Sequence, residues 1–198
     1  MSRLLETIKV LDGAPQNIIY HNRRMNDTRK ALFNSSEQID LAERIVVPPA
    51  YREGVVKCRC IYDNSGMEFE FIPYVIKNIG SVRPVNGGAI EYHHKYEDRS
   101  QIEQLQLSSG ADEIIIIKDG LVTDSSYANL IFNDGARWVT PATPLLKGTM
   151  RQRLLDEGRI IKYIIPAEMV PRFRSFKLIN AMLDINESPE LPISLINL

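Results

Sequence analysis

Residues 120–132, GLVTDSSYANLIF, constrain the fold more than any other stretch of this chain. Apolar and β-branched residues flank a short run of small polar ones, which reads as strand, tight turn and strand. The turn sets Asp124 close to Asn129. Immediately upstream stands EIIIIK, residues 113–118, a continuous β-branched run of the kind that forms a buried strand, and Gly120 marks the turn between the two. This part of the chain is committed to a sheet.

The N-terminal part predicts a mixed α+β lobe. RLLETIKV (residues 3–10) reads as a strand, Asp12-Gly13 as a turn, and residues 17–20 as a second short strand. From residue 21 to 33 the charged sequence with Met25, Ala31 and Leu32 suits an exposed amphipathic helix. A second helix is expected over residues 36–44, with Ser36 as its cap and Pro48-Pro49 behind it. Residues 54–63 and 67–74 read as a hairpin around Asn64-Ser65-Gly66. Residues 80–88, with Pro84 and two adjacent glycines, are the linker candidate. The expected organisation is therefore an N-terminal lobe over 1–80, a linker over 81–90 and a C-terminal lobe over 91–198. Within the last, residues 100–108 read as a helix, and 137–140, 160–165 and 176–181 as strands. Thr143 and Pro144 predict a helix over 143–157, closed by Gly158.

Composition excludes several function classes. The chain has 198 residues, enough for a real core, and a net charge of −1, which gives nucleic acid no basic surface. Its two cysteines, Cys58 and Cys60, are separated by one residue; on a strand they share a face, and a disulfide that close is strained. They are read as reduced thiols of a cytoplasmic protein, and three histidines with no further cysteine leave no metal site. The start MSRLLETIKV is too polar for a signal peptide, and no apolar run reaches membrane-spanning length.

Three motifs in order carry a resemblance: YHHKYEDR with Lys95 four residues before Arg99, TDSSYANLIF, and LLKGTMRQ at residues 145–152. This order resembles the class IV aminotransferase family of pyridoxal 5'-phosphate (PLP) enzymes, which includes branched-chain and D-amino-acid aminotransferases and aminodeoxychorismate lyase. The resemblance runs from Glu6 to about residue 185. It implies the two-lobed, mixed α+β and α/β fold of fold-type IV enzymes, with the cofactor in the interlobe cleft and a homodimer as the working form.

The same resemblance assigns roles. Lys95 matches the family's lysine, whose amine must reach the cofactor aldehyde and be kept partly deprotonated by its surroundings. Arg99 anchors local structure. Asp124 stands where the family usually has glutamate, as partner of the pyridine nitrogen, with Asn129 at matching spacing. Gly148 lets the backbone approach the phosphate, toward which the amides of Thr149 and Met150 point. That match also moves the expected helix start from Thr143 toward Gly148. Arg24 in HNRRM resembles the arginine of H-x-x-R-L that clamps the phosphate, with Arg23 left to solvent. Asn180 in INAM resembles a strand-end asparagine beside the cofactor. Glu6, Thr7, Tyr92 and Tyr127 are the substrate-side candidates. The reaction expected is lyase-like, giving 4-aminobenzoate and pyruvate, with transamination of a branched-chain or D-amino acid as the alternative and non-catalytic PLP binding as a third reading.

Overall fold

The computed structural model describes residues 3–88 and 90–197. Two compact units emerge: the first takes the chain up to Ile76 together with His94–Asp98, the second Lys77–His93 together with Arg99 onward.

The first unit is an antiparallel sheet in the order β2-β1-β3-β4, from β1 (Leu4–Leu11), β2 (Ala14–Pro15), β3 (Val55–Tyr62) and β4 (Met67–Pro73). Side chains alternate across a strand, so Leu4, Ile8 and Val10 share one face of β1 and meet Val56, Cys58, Cys60 and Tyr62 from β3. Helix α1 (Ile18–Phe33) joins that core through Met25. Both cysteines are free and fully buried, and burial pushes each thiol up to about 12.

Two expectations fail here. Residues 17–20 are not a strand. Ala14 and Pro15 already take the available partners, Leu11 and Val10, and Asn17 sits in the left-handed region at φ 55°, which ends the extended run and opens α1. The second helix is also shorter, α2 (Leu41–Arg44), capped by Asp40 rather than Ser36. The reason is Asn26: its side chain takes both the N–H and the carbonyl of Ile39, holding the residues before α2 extended along α1.

In the second unit a sheet runs β10-β9-β8-β7-β6-β5, with β11 pairing β8 and β12 pairing β11. Its elements are β5 (Val82–Asn86), α3 (Ser100–Ser109), β6 (Glu113–Lys118), β7 (Leu121–Ser125), β8 (Asn129–Asn133), β9 (Trp138–Pro141), α4 (Thr149–Asp156), β10 (Ile161–Tyr163), β11 (Ser175–Ile179) and β12 (Leu191–Pro192). The expected linker is therefore largely strand. Pro84 is tolerated because β5 ends the strand order, where a missing N–H breaks no central ladder. β5 and β6 are parallel, and a parallel pair needs a long connection, which here contains α3.

That connection also carries a segment of the first unit. His94–Asp98 belongs to the first unit because its main chain zips onto β1: Leu5 N–H donates to the Lys95 carbonyl at 2.8 Å, Glu97 N–H to the Arg3 carbonyl at 2.9 Å, and Leu4 bridges Tyr96.

β8 is buried on both faces. Leu130 and Phe132 enter one core, where Phe132 meets Phe173 and Phe176 at ring separations of 4.9 and 6.2 Å. Ile131 enters another with Met150 and Leu154, which fixes α4 against the opposite face of the hairpin. The helix does not begin at Thr143. Leu146 is bonded through its own N–H and carbonyl to Asp124 and Asn129, so the stretch before Gly148 is held as loop.

Candidate active site

The β7–β8 turn places Asp124 opposite Asn129 in antiparallel register. Asn129 Nδ2 donates to Asp124 Oδ1 at 2.6 Å and to the Leu146 carbonyl at 2.9 Å, while Leu146 N–H donates to Asp124 Oδ2 at 2.9 Å. Both side chains are buried. The turn between them is braced from outside: Arg99 donates to the Ser126 carbonyl and Ser126 N–H donates to Glu113 Oε1 at 2.8 Å.

Gly148 packs onto this pair so closely that a Cβ there would lie 2.0 Å from Asn129 Oδ1. α4 begins at the next residue, so the amides of Thr149 and Met150 lie in its first turn, at the positive end of the helix dipole. Arg151 turns inward, with Nε donating to Thr140 Oγ1 at 3.2 Å and Nη2 to the Pro141 carbonyl at 2.8 Å. This buried guanidinium pins the start of α4 to the end of β9. Asn180 follows Ile179, the residue paired with Asn129, and its Oδ1 accepts from the N–H groups of Met182 and Leu183 at 2.9 and 3.2 Å. Its side chain shapes its own turn.

In the first unit, Glu6 lies on the buried face of β1 between Leu4 and Ile8. Arg24 Nε donates to Glu6 Oε1 at 2.8 Å and Nη2 to Oε2 at 2.6 Å; His21 Nδ1 lies 2.6 Å from Oε2. Burial alone would raise the Glu6 carboxyl, but the Arg24 charge and the hydrogen bonds from His21 and Arg24 prevail and hold it down to about 2. Burial lowers His21, against its bond to Glu6, and the Arg24 and Lys95 charges lower it further. His21 is therefore neutral at pH 7. Because the ionised carboxylate only accepts, Nδ1 carries the hydrogen, and the contact is a hydrogen bond rather than an ion pair. The flanking His94 is 3.2 Å from Thr28 Oγ1 through Nδ1, which ties the half-buried Lys95 segment to α1.

The expected residues thus fall into two groups, Glu6, Arg24 and Lys95 in one unit and Asp124, Asn129, Gly148, Thr149, Met150 and Asn180 in the other. Thr7 points to the other face of β1 from Glu6, so the two do not act as a pair. Tyr92 is buried, and Tyr127 packs on the core of its unit with Lys77 Nζ 5.7 Å from its ring centre. Two residues escaped the sequence reading, His21 and Arg151. The signal for His21 was its place three residues before Arg24 on a helix, where positions i and i+3 share a face.

The family model described as amino-transferase class IV matches residues 93–186, a span that takes in Lys95, Asp124, Gly148 and Asn180. A crystal structure of a proposed 4-amino-4-deoxychorismate lyase from Haemophilus somnus is 34% identical, covers 93% of this chain and 98% of its own, and superposes with a TM-score of 0.87. The chain belongs to the class IV aminotransferase family. An uncharacterized protein of Haemophilus influenzae is 39% identical over 92% of this chain and 98% of its own length. The fold is that of fold-type IV PLP enzymes, and it extends to distant structures: the PLP-bound form of a hypothetical aminotransferase from Mycobacterium tuberculosis superposes with a TM-score of 0.75 at 17% identity, over 96% of this chain and 80% of that one.

Burial dominates the electrostatics of Asp124. Burial pushes its carboxyl up to about 6, against the hydrogen bonds from Leu146 and Asn129 and the Arg151 charge. A raised folded-state pKa means that the folded protein holds this proton more tightly than the unfolded chain does. Its contribution to stability is therefore full below the ordinary value of 3.8 and lost as pH rises through about 6, a swing of about 3 kcal/mol. Asp124→Asn isolates the effect, since Glu6 and His21 titrate alike in both proteins. In urea unfolding without added cofactor, the advantage of wild type over Asp124→Asn should grow by about 1 kcal/mol from pH 7.5 to pH 5. An advantage that stays constant would show that the Asp124 carboxyl titrates normally.

Proposed function

We propose that this chain is a PLP-dependent lyase that converts 4-amino-4-deoxychorismate to 4-aminobenzoate and pyruvate, with Lys95 as its catalytic base. The observation that carries the reading is the 34% identity across 93% of the chain to the Haemophilus somnus protein of that proposed activity. The residues present also fit the cofactor. Asp124 is a buried carboxylate with no direct ion pair among the described residues, suited to a protonated ring nitrogen. The Gly148 close approach and the first amides of α4 suit a phosphate. The resemblance assigns the same role to Arg24, whose Nε–Nη2 edge is held by Glu6.

When bound, PLP supplies an electron-accepting ring that stabilises negative charge on the carbon beside the substrate amine. The rest falls to the chain. Lys95 Nζ takes the proton from that carbon. Asp124 keeps a hydrogen on the ring nitrogen by accepting from it, and Asn129 and the Leu146 amide hold the carboxylate in place for that task. Loss of the C–H proton and of the ether C–O bond makes the substrate ring aromatic, and the departing enolpyruvate takes up a proton to become pyruvate. The two products contain every atom of the substrate, so no water, oxidant or amino acceptor is consumed. As the resemblance implies, we take the working form to be a cytoplasmic homodimer that serves folate synthesis.

The test is a stoichiometry. PLP-reconstituted protein given 4-amino-4-deoxychorismate should release 4-aminobenzoate and pyruvate in equal amounts. Bound PLP without 4-aminobenzoate release, together with a 2-oxo acid formed from an amino acid, would overturn the lyase reading in favour of transamination.

A further inference from the structure

Glu6 is an unusual residue for its position. The face of β1 it occupies is otherwise apolar, and Leu4, Glu6 and Ile8 are all at 0% exposure. Carboxylates are rarely placed so, because desolvation is costly and well-packed apolar residues generally serve stability as well or better. What the cluster gains is geometric. The Arg24 guanidinium is gripped along its Nε–Nη2 edge by both oxygens of one carboxylate, and His21, one turn earlier on the same helix face, holds Oε2 from a second direction. A planar fork held along one edge cannot rotate, so its other edge has a fixed direction.

We propose that Glu6 is a positioning residue that, with His21, locks the Arg24 guanidinium in the orientation that receives a phosphate monoester. The ligand is the phosphate end of the cofactor, so the inference rests on the reading above. It reassigns Glu6 from the substrate side of the site to the support of its anion-binding arginine. His21 serves as a neutral donor to the carboxylate and adds no charge of its own. The carboxylate also sets a limit: it offsets the arginine's charge, so its value to a phosphate ligand lies in orientation rather than in net attraction.

The test compares two ligands that differ only in the phosphate. PLP and pyridoxal are titrated into wild type, Glu6→Gln, Glu6→Asp and Arg24→Ala by visible absorbance, with circular dichroism confirming the fold. Glu6→Gln removes the charge and one acceptor; Glu6→Asp keeps the charge but withdraws it by one methylene, and carries the test if the glutamine variant fails to fold. Both should weaken PLP about tenfold or more while changing pyridoxal less than about twofold, since only charge-assisted contacts to the phosphate are affected. In the Arg24→Ala background the Glu6 substitution should add no further loss of PLP affinity. Equal weakening of PLP and pyridoxal, or an undiminished Glu6 penalty without Arg24, would overturn the proposal and leave Glu6 a structural residue. Wild-type protein that bound neither ligand would instead overturn the cofactor reading, and this inference with it.

Discussion

Gly148→Ala is expected to destabilise the protein by about 2–4 kcal/mol, because overpacking and broken hydrogen bonds combine at one point. The backbone there is ordinary extended chain, φ −64° and ψ 145°, so conformational freedom is not what the glycine provides. Space is. A methyl would fall 2.0 Å from Asn129 Oδ1 and 3.2 Å from its Cγ. Asn129 cannot retreat without giving up its bonds to Asp124 and to the Leu146 carbonyl, and those bonds join the hairpin to the loop before α4. For a chain of this size the cost lowers the melting temperature by roughly 5–15 °C. Affinity for a phosphate ligand at the start of α4 should fall as well, because the same shift moves the Thr149 and Met150 amides. Gly66→Ala is the control, since a Cβ there meets nothing within 4 Å. A Gly148 variant as stable as the Gly66 variant would mean that the hairpin and the loop are not packed as described.

Lys95→Ala should do the reverse, leaving stability nearly intact and removing turnover. The segment that carries Lys95 is held by main-chain bonds, Leu5 to the Lys95 carbonyl and Glu97 to Arg3, and alanine keeps both. Half-buried side chains held this way are usually lost at a cost of no more than about 1 kcal/mol. A positioned base, however, is worth about 10²–10⁴ in rate, and the covalent hold on the cofactor is lost with it. The variant should therefore release 4-aminobenzoate at least about 10³-fold more slowly than wild type at saturating cofactor. A loss under tenfold would remove Lys95 from the chemistry.

Much of this architecture was legible in the sequence where local physics decides it. The EIIIIK run, the turn at Gly120 and the TDSSYANLIF hairpin became β6, β7 and β8 at nearly the expected places, because β-branched runs and glycine turns need no distant partner to declare themselves. Failures came where distant partners decide. Asn26 fixes Ile39 across a separation of 13 residues and so shortens α2. β5 exists because β6 pairs with it, although Pro84 and the nearby glycines read as a linker. The membership of Lys95 in the first unit depends on bonds to β1 some 90 residues earlier, which no local pattern announces. At the site, family resemblance is what proposes the residue types. It did not reveal that Glu6 is spent on Arg24 and His21, because a Glu-Thr pair in a strand says nothing about which face the glutamate takes or what α1 brings to it.

Lys95 is proposed as the residue that holds and works with the cofactor. Borohydride reduction of the PLP-reconstituted protein, followed by proteolysis and mass mapping, is the experiment to make first. A single stable pyridoxyl-phosphate label on the peptide containing Lys95, absent from Lys95→Ala, is the expected result. A label on another lysine, or PLP binding with no covalent label, would show that Lys95 does not hold the cofactor.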